Sequence, residues 1–509
     1  MNIRRDLIKL AGSCFAVLFF SMLLNAEPDV TPGPNIIIVL ADDLGIGDVA
    51  CYDPQYSKIP TPNADRLAKE GIRFTQAHSS CAVCTPTRYG LLTGRYNWRS
   101  TLQAGVLKPF DAPLIASDRP TIAGMLKQQG YHTACIGKWH LGWNWPRKGE
   151  DVVFDKPITD GPTTRGFDYY FGTDVPNYPP YTFIENDHVT VQPTEKMTRD
   201  MAVAAGVNRD GAMAPGWRFD RIIPSMAEKA AQYIDQRAKT KQPFFLYFPL
   251  TIPHQPFTPS ERFKGKSGIS AVGDLIMETD WALGEVMTAL ERNGLKENTL
   301  LIFTADNGHN GKTVEPFEKV GHRRGGPLRG AKASSWEGGH REPFIARWPG
   351  VVKPGSQCSQ LISLNDCMAT CAEITSAQLP VNAAEDSFSF LSLLKGADRA
   401  TREAVVTQSG AGMFAIQRGE WKLIIGQGSS NPAQVNPKES SGQLYNMSSD
   451  IAEANNLYSK HPEIVNELTA LLKKYVDDGR STPGPKQKND APVELNKKKT
   501  NSKQEKPGA

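Results

Sequence analysis

The sequence predicts an α/β fold, and three observations carry that expectation. Runs that are apolar on both faces recur at strand length: Asn35–Leu40, Phe244–Leu250 and Thr299–Ala305. Such runs suit strands of a parallel sheet covered by helices on both sides. Amphipathic segments closed by glycine, Thr61–Gly71 and Thr121–Gly130, alternate with strand-like stretches and read as covering helices. After Gly396 the chain changes character. A hairpin pattern over Ala415–Ile425 and a stripe of Ile464, Leu468, Leu471 and Leu472 within 462–476 mark a smaller second unit.

The bulk properties agree. A chain of 509 residues can hold a large core and a smaller domain beside it. The formal charge of +4 comes from the ends: residues 1–26 carry a net +2 and 481–509 a net +4, leaving the body near −2. A basic nucleic-acid surface is therefore not expected. Residues 1–26 read as an export signal, with Arg4 and Arg5 before an apolar run from Leu10 to Leu24 and a small-residue site at Asn25-Ala26. Arg-Arg-Asp-Leu-Ile-Lys also fits a twin-arginine signal, so both export routes stand. An exported protein, periplasmic or secreted and without a stable membrane anchor, is the expectation. The division is 1–26 signal, 27–395 catalytic domain, 396–480 C-terminal subdomain and 481–509 disordered basic tail. There are eight cysteines. Without Cys14 and Cys84, six remain, a number compatible with three bridges in an oxidising compartment.

Taken in order, the elements end in reactive residues. Asn35–Leu40 runs into Asp42 and Asp43. Two carboxylates at the end of a buried strand are costly unless a cation binds there. The bland alternative is a turn with two solvated aspartates. Thr299–Ala305 repeats the design and ends in Asp306 and Asn307. If the two strand ends lie side by side, the four residues form an all-oxygen set suited to calcium first and magnesium second. Between them, Cys81-Ala-Val-Cys84-Thr-Pro86-Thr-Arg88 leads into a short helix ending at Gly94-Arg95. It would place a sulfur at a helix N-terminus beside a cation; a redox pair or half a zinc site is the alternative. Lys138 and His140 stand two apart on a strand, so they point to the same face and meet the same ligand edge; a surface Lys-x-His pair is the bland alternative. His254, held between Pro253 and Pro256, suits a positioned acid or base. Ile222–Arg237 and Ala271–Arg292 read as covering helices, and His78 reads as structural. In the irregular stretch 143–220, Trp143, Trp145, Tyr178 and Tyr181 form either a sugar-stacking wall or simple loop packing.

Cys84-x-Pro86-x-Arg88 followed by Leu92-Thr93-Gly94-Arg95 resembles the signature of the type I sulfatases of the alkaline phosphatase superfamily. Pro34-Asn-Ile-Ile with Asp42-Asp43, Gly137-Lys138-Trp-His140-Leu-Gly142, Arg165–Gly172, Asp306-Asn307-Gly308, Gly330-Ala-Lys332 and Gln443–Leu457 resemble further motifs of that family in the same order, over residues 34 to about 476. Thr87 departs from the serine many members carry there. The resemblance implies a large mixed, mostly parallel sheet between helices, with a small C-terminal antiparallel sheet and helix. It implies that a separate formylglycine-generating enzyme oxidises Cys84, and that the hydrated aldehyde attacks sulfur. Asp42, Asp43, Asp306 and Asn307, with residue 84, then hold the metal. Arg88, Lys138 and Lys332 balance the sulfate charge, His140 takes a proton from the hydrate, and His254 or Lys332 protonates the leaving alcohol. Glu337 and Arg341 buttress their loop. Arg323 and Arg324 either hold a second anionic group of the substrate or form a solvated basic loop.

The expected activity is removal of sulfate from a sulfated carbohydrate, such as a polysaccharide or glycosaminoglycan. The alternatives are a phosphate or phosphonate monoester hydrolase on the same fold, and a sulfated-glycan binder without catalysis.

Overall fold

A computed structural model describes residues 33–207, 209–429 and 442–495. The expected export signal at 1–26 lies outside them. Among the described residues the main sheet has eleven strands. Seven of them carry it: β1 (Asn35–Asp42), β2 (Ile72–His78), β3 (His132–Lys138), β4 (Tyr169–Thr173), β5 (Phe244–Pro253), β6 (Thr299–Ala305) and β7 (Arg341–Arg347). Their order across the sheet is β2-β7-β6-β1-β5-β3-β4, with short strands at both edges. β6, β1, β5, β3 and β4 run parallel, whereas β7 is antiparallel to both β6 and β2.

The continuous apolar runs have the expected cause. Successive residues of β1 feed two different cores: Ile36, Ile38 and Leu40 on one face, Ile37, Val39 and Ala41 on the other. A strand covered on both faces has no solvent side on which to put polar residues. The first face is covered by α1 (Cys84–Thr93), α2 (Ile122–Gln128) and α3 (Cys367–Thr375). The second is covered by α4 (Pro62–Glu70), α5 (Ile222–Arg237) and α6 (Ala271–Arg292), labelled here face by face. The bounds of α5 and α6 coincide with those read from the sequence.

The C-terminal unit is a four-stranded antiparallel sheet, Val405–Gln408, Phe414–Arg418, Trp421–Ile424 and Gln443–Asn446, backed by the helix Pro462–Asp477. It is fastened to the main body beside Cys84. The amide of Ala82 donates to the carbonyl of Gln408 at 2.8 Å, and the amide of Gln408 donates to that of Ser80 at 3.0 Å.

Two expectations are corrected. The described cysteines are all free, so the six candidates Cys51, Cys81, Cys135, Cys358, Cys367 and Cys371 form no bridges. Residues 481–495 of the supposed disordered tail are folded onto the body. Asp490 takes two hydrogen bonds from Arg95, at 2.9 and 3.0 Å, and Asn489 accepts one from Arg99 at 3.1 Å. Val493 and Leu495 pack against the C-terminal core. Composition read this stretch as solvated because its anchoring arginines lie almost four hundred residues earlier. A chain ending at Gly479 is expected to lose at least about 2 kcal/mol of stability, because buried Arg95 and Arg99 would lose charge-assisted partners. Denaturant unfolding of the truncated chain measures this; an unchanged midpoint would show that the segment contributes nothing.

Candidate active site

The site forms at the carboxyl ends of β1, β5, β3 and β6, where a parallel sheet gathers strand ends from distant parts of the sequence. β1 delivers Asp42 and Asp43, and β6 delivers Asp306 and Asn307; all four side chains are buried. β2 leads through a short loop to Cys84, the first residue of α1. That helix stops at Gly94, whose left-handed φ of 64° closes it.

Two catalytic candidates themselves have a left-handed backbone: Asp43 at φ 65° and His140 at φ 53°. This conformation is uncommon for residues with a Cβ and persists where surrounding contacts dictate it. It also changes the reason Lys138 and His140 meet. β3 ends at Lys138, so the turn at His140, not strand alternation, brings its ring to the cavity.

Cations and anions interlock here. Lys138 Nζ lies 2.5 Å from Asp42 Oδ2, and Lys332 Nζ lies 2.5 Å from Asp43 Oδ1. Arg88 donates to Asp306 Oδ2 at 2.7 and 3.1 Å and to the Lys138 carbonyl at 3.0 Å. Cys84 Sγ sits 3.6 Å from Asp42 Oδ1 and 3.7 Å from Lys332 Nζ. Burial raises the Asp42 carboxyl, but Lys138, His254 and Arg88 together overcome this and hold it far below the usual range. Asp306 is pushed up to about 6 by burial and by neighbouring Asp42. Three carboxylates thus compete for the surrounding positive charge.

That competition, and two unpartnered atoms, fit a bound divalent cation. Asp43 Oδ2 and Asn307 Oδ1 are buried without a hydrogen-bond partner. Asp42, Asp43, Cys84 and His254 can bring one ligand atom each within 4.8 Å of one another. Asp306 Oδ1 accepts a hydrogen bond from the amide of Asp43 at 3.3 Å. A site of carboxylate and carboxamide oxygens suits a hard cation.

The histidines are poised by their partners. His140 Nε2 faces the Leu107 carbonyl at 3.1 Å. A carbonyl can only accept, so Nε2 carries the proton and Nδ1 keeps a free lone pair; Nδ1 is buried without a partner. Burial first, then Lys138 and Arg88, hold His140 well below the ordinary histidine range, so it is neutral. His254 Nδ1 donates to the Gln255 carbonyl at 2.7 Å, and burial lowers this ring to about 4 despite Asp42.

Cys84, His140, His254 and Lys332 open into one cavity of about 430 Å³, also lined by Asn177, Tyr178, Arg209 and the Gly410-Ala411 turn of the C-terminal unit. The smaller C-terminal unit therefore supplies part of the cavity wall.

The Sulfatase family model matches residues 34–377. This chain is a member of the sulfatase family. It is accordingly an enzyme, a sulfuric ester hydrolase. It is 38% identical to an N-acetylgalactosamine-6-O-sulfatase of Bacteroides thetaiotaomicron, over 86% of this chain and 92% of the relative. It is 32% identical to human arylsulfatase A, over 92% of both chains. A solved structure from work on the metabolism of multiple glycosaminoglycans by Bacteroides thetaiotaomicron superposes with a TM-score of 0.78 at 37% identity, covering 87% of this chain and 99% of that one.

Several candidates in this sulfatase lie away from the cavity. Trp143, Trp145 and Tyr181 are buried at 2%, 5% and 1% exposure and pack in the protein core, so only Tyr178 of the supposed aromatic wall faces it. Arg324 is not a substrate ligand. It is buried and holds Asp48 through contacts of 2.7, 3.1 and 3.2 Å, while His322 approaches the same carboxylate at 3.0 Å. This pins the loop 309–330 under β1: a Cβ on Gly45 would fall 2.0 Å from the Arg324 carbonyl oxygen. Arg323 is exposed, stacks on Tyr56 at 4.1 Å and lines a separate cavity of about 750 Å³. Glu337 does buttress its loop. It binds Arg341 at 3.2 Å and the buried ammonium of Lys422 at 2.7 Å. Lys422 also lies 3.1 Å from His340, so an ammonium contacts two of the three members of the His78, Glu337 and His340 group. Sequence reasoning missed Asn177, Arg209 and the Leu107 carbonyl, none of which lies in a recognisable motif.

Replacing Arg324 with alanine is expected to destabilise the fold by about 3–5 kcal/mol, because Asp48 would remain buried with its main cation gone. Chemical denaturation checks this; a loss under about 1 kcal/mol would mean that water or His322 satisfies Asp48.

Proposed function

We propose that this sulfatase removes sulfate from a sulfated carbohydrate, with formylglycine formed at Cys84 by a separate maturation enzyme and a calcium ion held by Asp42, Asp43, Asp306 and Asn307. The carrying observation is the placement of Cys84 at the floor of one cavity with His140, His254 and Lys332, against three buried carboxylates. The carbohydrate reading draws support from the N-acetylgalactosamine-6-O-sulfatase relative. The N-terminal segment would direct the chain out of the cytoplasm.

The hydrated aldehyde would supply two hydroxyls on one carbon: the first takes the sulfate by attacking sulfur, and the second, once deprotonated, re-forms the carbonyl as the C–O bond to the sulfated oxygen breaks and sulfate leaves. Calcium supplies fixed positive charge for the sulfate oxygens. The other roles belong to the chain's own groups. Arg88 and Lys138 are buried cations already positioned around Asp42, so they meet the developing negative charge without reorganising. Lys332 lies beside residue 84 and carries a proton at neutral pH, because the Asp43 and Asp42 carboxylates outweigh its burial and raise it. It is therefore the resting proton donor for the leaving oxygen. His254 is neutral at rest and places its free nitrogen toward the same group. His140 presents the Nδ1 lone pair that accepts the proton of the remaining hydroxyl.

Two outcomes test this. Cys84→Ser has only one hydroxyl, so turnover on a sulfated disaccharide is expected to fall about 10³-fold or more, with sulfate binding largely kept. Peptide mass measurement of wild type should show the aldehyde at residue 84. Full activity of verified unmodified protein would defeat the formylglycine assignment, and preference for the matching phosphate ester would reassign the substrate. Secondly, calcium added to chelator-treated enzyme at 100 times its Kd should stabilise the fold by about 2.7 kcal/mol. Asp43→Asn with Asn307→Ala should remove most of that gain; an equal gain in this variant would place the ion elsewhere.

A further inference from the structure

One part of the cavity wall has no task in the sulfate chemistry. We propose that Arg209 and Asn177 form a recognition site for a second anionic group on the substrate: Arg209 binds a carboxylate or sulfate other than the one cleaved, while Asn177 accepts a hydrogen bond from a sugar hydroxyl. This rests on the carbohydrate reading above and narrows it to a polyanionic saccharide.

Arg209 lies over the face of Tyr178, with its guanidinium carbon 4.0 Å from the ring centroid. The platform beneath it is fixed. The Tyr178 hydroxyl donates to the Leu107 carbonyl at 3.3 Å, the same oxygen that orients His140. The Tyr178 and His140 rings meet edge to face at 5.7 Å. The Arg209 backbone is held as well, since its carbonyl accepts from the buried Tyr181 hydroxyl at 2.6 Å. Stacking uses the flat face of a guanidinium and leaves its in-plane donors free. Arg99, Arg165, Arg324 and Arg402, which serve the fold, each hold a carboxylate, and so does Arg88 within the catalytic cluster. Arg209 lines the cavity and makes no ion pair among the described residues. A cation held in place with its donors unspent suits an oxyanion, which it can grip through two parallel hydrogen bonds.

Asn177 supplies an independent sign of a ligand. Its side chain is 3% exposed and lines the same cavity, yet Oδ1 has no partner. A buried oxygen left unmade costs stability, so its donor is expected from the ligand. An amide oxygen accepts and does not bind anions, which separates the two tasks: charge to Arg209, hydroxyl to Asn177. Tyr178 touches both Arg209 and His140, so the recognised anion and the scissile sulfate would sit one aromatic ring apart.

The test compares mature wild-type enzyme, Arg209→Gln and Arg209→Lys on three disaccharides with the same scissile sulfate. The first has no other charge, the second carries a uronic carboxylate and the third a second sulfate. Wild type should favour at least one charged disaccharide over the neutral one. Arg209→Gln should lower that ratio of kcat/KM about 10- to 100-fold, chiefly through KM, and Arg209→Lys, which keeps the charge but loses the stacked two-donor fork, should keep only part of it. The ratio is the readout because damage to the fold or the chemistry lowers all three substrates together. The charged disaccharide whose advantage disappears identifies the anion as carboxylate or sulfate. A wild type without preference, or an unchanged ratio in Arg209→Gln, would overturn the inference while leaving the carbohydrate reading intact. Three inert disaccharides alongside a hydrolysed aryl sulfate would overturn both.

Discussion

Everything in this site depends on placing three carboxylates where water cannot screen them. Asp42, Asp43 and Asp306 are each at or below 1% exposure, close enough for Asp42 to push up the titration of Asp306. Isolated buried charges of this kind would neutralise or unfold the edge of the sheet. Arg88, Lys138 and Lys332 prevent that, and each is held in return by the carboxylates it stabilises. The result is a lattice of opposite charge whose geometry is set before substrate arrives. Its remaining open atoms, Asp43 Oδ2 and Asn307 Oδ1, are oxygen acceptors that a protein cation does not reach.

Sheet topology makes that lattice attainable. β1 lies between β5 and β6, all parallel, so residues 42, 254 and 306 arrive at one edge from three separate stretches of chain. The register pairs Ala41 with Ala305, which sets the two acidic ends level. The antiparallel β7 begins at this same edge, so the turn before it returns Lys332 to Asp43. The left-handed backbone at Asp43 and His140 is the local cost of aiming side chains from strand ends that would otherwise point into the core.

Much of this was legible in the sequence because it depends on local pattern. A strand covered on two faces must be apolar at every position, and β1, β5 and β6 were readable for that reason. Catalytic residues at strand ends sit beside such runs and inside contiguous motifs. What stayed hidden depends on partners distant in the chain. Arg323 and Arg324 are adjacent and chemically identical, yet one stacks on Tyr56 at the surface and the other is buried on Asp48. Nothing local distinguishes them. Trp143 and Trp145 fitted a sugar platform and loop packing equally well from the sequence, and it is packing that their neighbours Trp139, Tyr170 and Phe154 show. The order of residues 481–495 rests on Arg95, which is 395 residues from Asp490.

The same division separates chemistry from selectivity. The groups proposed to act on sulfate are fixed by the sheet and by mutual ion pairs, and they have little freedom to change without loss of the fold. Asn177, Tyr178 and Arg209 belong to the irregular stretch between β4 and β5, and Gly410-Ala411 to a turn of the C-terminal sheet. Loops of this kind can vary while the scaffold beneath stays rigid. His140 links the two regions: its backbone belongs to the turn after β3, its Nε2 to the Leu107 carbonyl and its ring edge to Tyr178. On the proposed reading, an anion bound at Arg209 would rest on a ring that shares the Leu107 carbonyl with His140, so binding energy gained there would be expressed beside the reacting centre, which is how a remote contact contributes to rate as well as affinity.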